Sequence, residues 1–246
     1  MDVIASRKNP FVATVRRVAD GDDRDRVLLD GLHLIEEARA AQVPITSAAF
    51  TTKALAALDG KARRLATALA GTGVRVVQVA DPVMEALSPT TNPSGVIAVA
   101  TRPKHTLDAV LGRPGGPAAL VVVAVDVQDP GNVGAIARVA EAAGATGYVV
   151  AGQSADPFGW KALRGSMGSV LRLPTVHDGD AATVAGVLRA SRLQCLAAVA
   201  AGAVSFDAVD WRGPVACFVG GEGAGLLLYE ARRQRMRLAA TSATSG

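Results

Sequence analysis

An apolar run of seven residues, ALVVVAV at positions 119–125, constrains the fold more than any other feature of the sequence. It shows no alternation of polar and apolar residues, which is typical of a strand buried on both faces of a parallel sheet. Comparable strand-like runs follow at GYVVAG, LQCLAAVA and VACFVG, with helical segments between them. The second half of the chain is therefore predicted to be an α/β unit with helices on both faces of a parallel sheet. Such sheets bind their ligands beyond the carboxyl ends of the strands.

The first hundred residues also alternate strand-like and helix-like segments, which predicts a small α/β domain. Between the two halves, residues 101–118 carry three prolines and three glycines. The segment RPGGP within them is the best linker candidate in the chain. We therefore predict a first domain over residues 1–103, a linker over 104–117 and a second domain over 118–246.

The composition narrows the class of protein. Half of the residues are apolar and a fifth are charged, which is ordinary for a folded chain. Cys195 and Cys217 lie in apolar runs without a CxxC pair or a Cys/His cluster, which argues against a disulfide scaffold and a structural metal site. No apolar run of about 18 residues and no signal-like segment appears, so we expect a cytoplasmic protein without a membrane partner. The net charge of +4 permits RNA as a partner without requiring it.

The longest motif, which we call motif 1, is DVQDPGNVGAIARVAEAAG at residues 126–144. Gly131 permits a tight turn and a close backbone approach to a ligand, and Asn132 can hydrogen-bond in that turn. Spacing alone favours an ordinary strand–loop–helix connection, in which Arg138 and Glu141 form a solvated ion pair one helical turn apart. The lack of a GxGxxG pattern argues against a dinucleotide site.

Three further motifs each allow a structural and a functional interpretation. Motif 2, FVGGEGAGL at residues 218–226, is either a glycine-rich turn into a helix or a loop whose backbone N–H groups receive a flat ligand. LRGSMGSVLRLP at residues 163–174 is either a helix end before an edge strand or a phosphate contact through arginine and serine. ARRQRMR at residues 231–237 is either a solvated helix face or an RNA contact.

Together and in this order, the motifs resemble the SpoU family of RNA ribose 2′-O-methyltransferases, within the SPOUT superfamily. Motif 1 resembles the family's first motif nearly residue for residue, LRGSMGSVLRLP its middle element and motif 2 its second motif. In the first half, SRKNPFV, LLDGLHLIEEARAA and SPTTNPSGVIAV resemble the ribosomal-protein-like RNA-binding domain that often precedes the catalytic domain. The resemblance covers about residues 5–226 and implies a SPOUT-type α/β fold behind a small α/β RNA-binding domain.

The resemblance implies methyl transfer from S-adenosylmethionine to a ribose 2′-hydroxyl, in ribosomal RNA rather than transfer RNA, by a homodimer without a metal. The side chains that match the family's active site are Asn132, Arg138 and Glu222. The residues that match its cofactor loop are Gly220, Gly221, Gly225 and Leu226. The candidates for RNA contact are Arg7, Lys8, Arg164 and Ser166. Because an arginine stays protonated, we expect Arg138 to stabilise the developing alkoxide and hold the adjacent phosphate rather than act as a base.

The sequence departs from the family after Leu226, where GEGAGL runs directly into LLYEARRQR. The family's third motif contains a Ser-Leu-Asn-type segment and completes both the cofactor pocket and a trefoil knot, and it has no counterpart here. We therefore expect an incomplete knot and weak binding of S-adenosylmethionine by the monomer. An impaired enzyme, an RNA-binding relative without catalysis and a working variant whose partner subunit fills the gap stay open. A binder of small nucleotides is a further alternative.

Overall fold

The computed structural model describes residues 2–177, 179–199 and 205–220. The chain divides into two compact units. Unit 1 consists of Met1–Pro103 together with Phe158–Leu171, and unit 2 consists of Lys104–Pro157 together with Arg172–Gly246. A short piece of the second half of the sequence thus belongs to unit 1. The domain limits proposed from the sequence stay a prediction.

The elements alternate along the chain as the sequence predicts. The strands are β1 (Asp2–Ile4), β2 (Arg26–Asp30), β3 (Ile45–Thr51), β4 (Arg75–Val79), β5 (Val96–Thr101), β6 (Leu120–Val125), β7 (Gly147–Ala151), β8 (Thr175–His177), β9 (Gln194–Ala197) and β10 (Val215–Val219). The helices are α1 (Pro10–Ala19), α2 (Leu32–Ala40), α3 (Thr52–Ala56), α4 (Lys61–Gly71), α5 (Asp81–Leu87), α6 (Leu107–Val110), α7 (Pro130–Ala142), α8 (Trp160–Gly165), α9 (Ser169–Arg172) and α10 (Ala181–Ala190).

Unit 1 is built on a mixed sheet with the strand order β1-β4-β3-β5-β2. β1, β4 and β3 run parallel, whereas β5 lies antiparallel to both β3 and β2. Helix α1 begins at Pro10 because the Asn9 side chain accepts a hydrogen bond from the Phe11 N–H at 2.9 Å. The apolar side chains that α1 and α5 contribute to one core are Phe11, Val12, Val15, Val18, Val83, Met84 and Leu87.

Unit 2 is built on a sheet with the strand order β8-β7-β6-β10-β9. Each of these described strands runs parallel to its neighbours. β6 lies at the centre, and its residues from Leu120 to Ala124 have no exposed surface. The prediction of a buried strand in a parallel sheet, with a small α/β unit before it, is therefore confirmed. The chain beyond Gly220, on which the expected incomplete knot depends, lies outside the described residues.

The segment predicted as a linker, residues 104–117, contains α6 and contributes to the core of unit 2. Val110 at the end of α6 is fully buried in the same apolar cluster as Val121 and Val149. Gly147, the first residue of β7, lies against Val110. A Cβ at Gly147 would overlap both the side chain and the Cα of Val110. The end of α6 is therefore packed onto the sheet.

Replacing Gly147 with alanine is expected to lower the free energy of unfolding by about 1–3 kcal/mol, because the added methyl group displaces α6. Gly186→Ala is the matched control. Gly186 is an exposed residue of α10 with open space where its Cβ would lie, so this change is expected to stabilise by about 0.5–1 kcal/mol. Urea unfolding followed by circular dichroism measures both variants. An unchanged midpoint for Gly147→Ala would contradict the close packing of α6.

Candidate active site

The carboxyl ends of β6 and β10 form the switch point of the sheet in unit 2. The two strands are parallel neighbours, and Val219 pairs with Ala124 in their register. From β6 the chain crosses to β7 on one side, whereas β10 has β9 on its other side. The strand order therefore changes between β6 and β10, and open parallel sheets bind ligands in the crevice at such a point. Motif 1 begins directly after β6, and Gly220 of motif 2 follows β10, so both motifs start at this crevice.

The start of α7 is built by a local cap. The Asp129 side chain accepts a hydrogen bond from the Asn132 N–H at 2.8 Å, and Pro130 occupies the first helical position. Gly131 lies beside this carboxylate, and a Cβ there would be 2.9 Å from Asp129 Oδ1. A side chain at position 131 would therefore push the capping carboxylate aside. The motif sequence thus determines where the helix begins and where Asn132 lies.

Asn132 and Arg138 both have exposed side chains on α7. Six helical residues separate them by about 9 Å along the helix axis and turn them to different sides of it. Among the residues that the structure describes, neither side chain has a hydrogen-bond or ion-pair partner. Both side chains are therefore open to a ligand from outside the helix.

The ion pair expected between Arg138 and Glu141 is not formed, and that prediction is wrong. Both oxygens of Glu141 instead accept hydrogen bonds from the guanidinium of Arg172, each at 2.7 Å. A carboxylate matches the fork of a guanidinium better in this two-bond geometry than in a single contact along one helix. The charge of Arg138 is consequently not compensated by Glu141.

A buried tyrosine supports the first turn of α7. The Tyr148 hydroxyl, on the neighbouring strand β7, donates a hydrogen bond to the Val133 carbonyl oxygen at 2.9 Å. Burial raises the pKa of Tyr148 far above its ordinary value, so the hydroxyl stays a donor. None of the sequence motifs points to a role for Tyr148. Its position as the one aromatic residue in the aliphatic run GYVVAG could have indicated such a role.

The loop at the start of motif 1 is tied to the loop after β7. Asp126 adopts a left-handed conformation, with φ of 54°, and its carboxylate accepts a hydrogen bond from the Gln153 N–H at 2.8 Å. The Val127 N–H donates to the Ser154 hydroxyl at 2.9 Å. Gly152 packs against Asp126 so closely that a Cβ there would overlap the carboxylate. These contacts were not predicted, since they join residues more than 25 positions apart.

The glycine loop of motif 2 is described only at its first residue. Gly220 is exposed, and no atom of the described residues lies within 4 Å of the place where its Cβ would be. The predicted partners in this loop, Gly221, Glu222, Gly225 and Leu226, lie outside the described residues. Cys217 precedes the loop on β10, and burial raises the pKa of its thiol to about 12. This cysteine is therefore not a nucleophile of the site.

The residues predicted to contact RNA lie in unit 1 and differ in accessibility. Lys8 and Arg164 are exposed. Arg7 is also exposed, but its Nε donates to the Pro82 carbonyl oxygen at 2.8 Å and a second nitrogen contacts Glu85 at 3.2 Å.

Ser166 has no exposed surface, and its hydroxyl donates to the Leu163 carbonyl oxygen at 2.9 Å. A phosphate cannot reach this hydroxyl in the structure. The structure therefore does not support Ser166 as an RNA contact.

Two further findings concern residues 2–177, 179–199 and 205–220. In this part of the chain, no group of three or more His, Cys, Asp or Glu side chains could hold a metal ion. No helix in the same residues has the length and apolar character needed to cross a membrane.

The fold and the site define an α/β protein with a ligand crevice at the switch point of a parallel sheet. Residues 119–239 match the SpoU rRNA Methylase family, and residues 9–98 match the MRM3-like substrate binding domain. An uncharacterized tRNA/rRNA methyltransferase of Synechocystis sp. is 31% identical over 226 residues, which are 91% of this chain and 79% of the relative. The chain therefore belongs to the SpoU rRNA methylase family, and the resemblance stated from the sequence is confirmed.

One further relative and two solved structures are similar to this chain. The 23S rRNA (guanosine(2553)-2′-O)-methyltransferase RlmP of Bacillus subtilis is 27% identical, over 92% of this chain and 85% of its own. A crystal structure of an RNA 2′-O ribose methyltransferase is 29% identical, with a TM-score of 0.78, over 95% of this chain and 99% of that one. The AdoMet complex of the SpoU methyltransferase AviRb from Streptomyces viridochromogenes has the same fold, with a TM-score of 0.80 at 24% identity, over 93% and 99% of the two chains.

Replacing Asp129 with alanine is expected to lower the free energy of unfolding by about 1 kcal/mol, because the Asn132 N–H loses its capping partner. Asp129→Asn is the matched control, since asparagine caps helices about as well as aspartate and keeps the loss to a few tenths of a kcal/mol. Thermal unfolding followed by circular dichroism compares the two variants. Equal losses in both would assign the effect to the charge rather than to the cap.

Proposed function

We propose that this chain transfers a methyl group from S-adenosylmethionine to a ribose 2′-hydroxyl of large-subunit ribosomal RNA. The observation that carries the proposal is the exit of motif 1 and of Gly220 from the neighbouring strands β6 and β10 at the switch point. Family membership supports it. So do the names of the Bacillus subtilis relative and of a Streptomyces viridochromogenes 23S rRNA (uridine(2479)-2′-O)-methyltransferase, which is 34% identical over 162 residues.

The methyl donor is proposed to lie on the glycine loop of motif 2. S-adenosylmethionine, when bound, supplies an electrophilic methyl group on a positively charged sulfur. Gly220 fits such a ligand because it is exposed and no described residue fills the place where a side chain would stand. The other residues proposed for the donor are Gly221, Gly225 and Leu226. Glu222 is proposed as the acid of the active site.

Arg138 and Asn132 are proposed to act on the RNA. A guanidinium keeps its proton at all ordinary pH values, so Arg138 is not the base for the 2′-hydroxyl. Its permanent charge and forked donors suit both the adjacent phosphate and the oxygen on which negative charge develops. Asn132 offers an amide at the crevice that can orient the ribose. Holding the hydroxyl in line with the methyl group is a large part of the catalysis in this proposal.

The RNA is proposed to extend onto unit 1 through Arg7, Lys8 and Arg164, each with an exposed side chain. The match of residues 9–98 to a substrate binding domain supports this assignment. A homodimer and a cytoplasmic location are further parts of the proposal.

Arg138→Ala is expected to lower kcat/KM for methyl transfer about a hundredfold, because the developing alkoxide loses its electrostatic partner. Transfer of a labelled methyl group from S-adenosylmethionine to 23S ribosomal RNA measures this. RNA affinity in a filter-binding assay is expected to change only a few-fold. Arg189→Ala, which removes the same charge from an exposed position of α10, is the matched control. Equal rates for the two variants would remove Arg138 from the active site.

A second candidate function rests on the junction after Leu226. There the glycine loop is followed directly by a segment that leads to the basic residues 231–237, without a Ser-Leu-Asn-type segment between them. In this candidate the chain binds RNA but has lost its affinity for the methyl donor. This candidate follows from the missing third motif, because that motif completes the pocket for the methyl donor in the family.

Calorimetric titration with S-adenosylmethionine separates the two functions. The methyltransferase is expected to bind the donor with a Kd near ~1 μM, or about −8 kcal/mol. The RNA-binding relative is expected to release no heat of binding up to ~1 mM donor. The same titration of Arg138→Ala is the control, because Arg138 is assigned to the RNA and its loss is expected to leave donor affinity unchanged.

A further inference from the structure

A cavity of about 340 Å³ lies within unit 1. Its volume is in the range of ligand pockets. One wall is the loop between α5 and β5, and the other is α8. The lining residues are Pro89, Thr90, Thr91, Asn92, Trp160 and Arg164.

The loop that forms the first wall is held by one carboxylate. Asp30, at the end of β2, accepts hydrogen bonds from the hydroxyls of Ser88 at 2.7 Å, Ser94 at 3.1 Å and Thr90 at 3.4 Å. These residues bracket the tip of the loop. The tip is therefore positioned before any ligand arrives, which reduces the entropy lost on binding.

The polar side chains at the tip are not used by the fold. Thr91 and Asn92 are exposed, and within the described residues neither side chain has a hydrogen-bond partner. Across the cavity, Arg164 is exposed and likewise has no ion-pair partner among the residues that the structure describes. A hydroxyl, an amide and a guanidinium therefore face one space with their hydrogen bonds unmade.

The second wall adds an aromatic ring and positive charge. Trp160 and Arg164 are four residues apart on α8, so they lie on the same side of it. Trp160 is half-buried, and the Lys161 ammonium lies 5.4 Å from the centre of its ring. An indole beside two cations is the combination by which proteins hold single-stranded nucleic acid, with a base stacked on the ring and a phosphate on the charge.

We propose that this cavity binds one unpaired nucleotide of the RNA substrate through residues other than those proposed for methyl transfer. The base stacks on Trp160, the phosphate lies on Arg164, and Thr91 and Asn92 hydrogen-bond the base or ribose edge. The proposal rests on the proposed function, because it takes RNA as the substrate. A protein segment is the less suitable occupant, since most of the lining is polar or charged.

Fluorescence tests the stacking directly. The chain has two tryptophans, and Trp211 has no exposed surface, so quenching by a bound base reports on Trp160. An unlabelled octauridylate is expected to quench the emission of the full-length wild type. Uridine monophosphate at the same concentration is expected to leave it unchanged. Equal quenching by the two would assign the cavity to free nucleotides and overturn the proposal.

Binding of a fluorescein-labelled octauridylate, followed by anisotropy, tests the individual side chains. Trp160→Ala is expected to weaken binding about tenfold, whereas Trp160→Phe keeps a stacking ring and stays within about threefold of wild type. Arg164→Ala is expected to reduce the slope of log K against log salt by about 0.7, the value for one phosphate of a single strand. Arg189→Ala is the control for the loss of one exposed arginine and is expected to keep the wild-type slope.

The outcomes distinguish this proposal from the proposed function. Wild-type affinity and salt slope in both Trp160→Ala and Arg164→Ala, alongside intact methylation of 23S ribosomal RNA by wild type, would overturn the subsite alone. A wild type that binds neither octauridylate nor ribosomal RNA would overturn both. Because the salt slope counts released ions, a variant that merely loses stability does not imitate the result expected for Arg164→Ala.

Discussion

The parallel pairing of β6 with β10 is the contact on which the rest of unit 2 depends. These strands are not consecutive in the sequence, and β7 to β9 lie between them along the chain. Their pairing brings the end of β10 level with the end of β6 at the point where the strand order changes, which is where open parallel sheets bind ligands. The two motifs are separated by more than 70 residues in sequence, and this pairing is what places both at one crevice.

Around that crevice, contacts from neighbouring strands hold the helix that carries the proposed RNA-facing residues. Asp129 sets the first turn of α7, and the Tyr148 hydroxyl supports the same turn from β7. Arg172 engages Glu141 near the other end of the helix. Each contact fixes the backbone while leaving Asn132 and Arg138 exposed. Rigid support with unengaged polar side chains is the arrangement expected of a site that must position a ligand.

In unit 1 a loop is likewise held by contacts that leave polar side chains exposed. The carboxylate of Asp30 accepts hydrogen bonds from hydroxyls on both sides of the 88–94 loop, so these bonds order the loop without involving the side chains of Thr91 and Asn92. Thr91 and Asn92 are thereby presented toward Trp160 and Arg164. A half-buried carboxylate surrounded by hydroxyls keeps its charge satisfied by hydrogen bonds, which is why such a group can organise a loop without an ion-pair partner.

Elements with local sequence signals follow from the sequence alone. The apolar run at 119–125 predicts the buried strand because burial on both faces leaves no polar position, and motif 1 predicts a loop that opens a helix. The cap of that helix by Asp129 became clear only in the structure. The motif order also determined the family. The partner of Glu141, the burial of Ser166 and the packing of α6, which lies in a segment predicted as a linker, depend on the folded structure. These features depend on contacts between residues that are distant in sequence, and the local spacing of residues carries no information about such contacts.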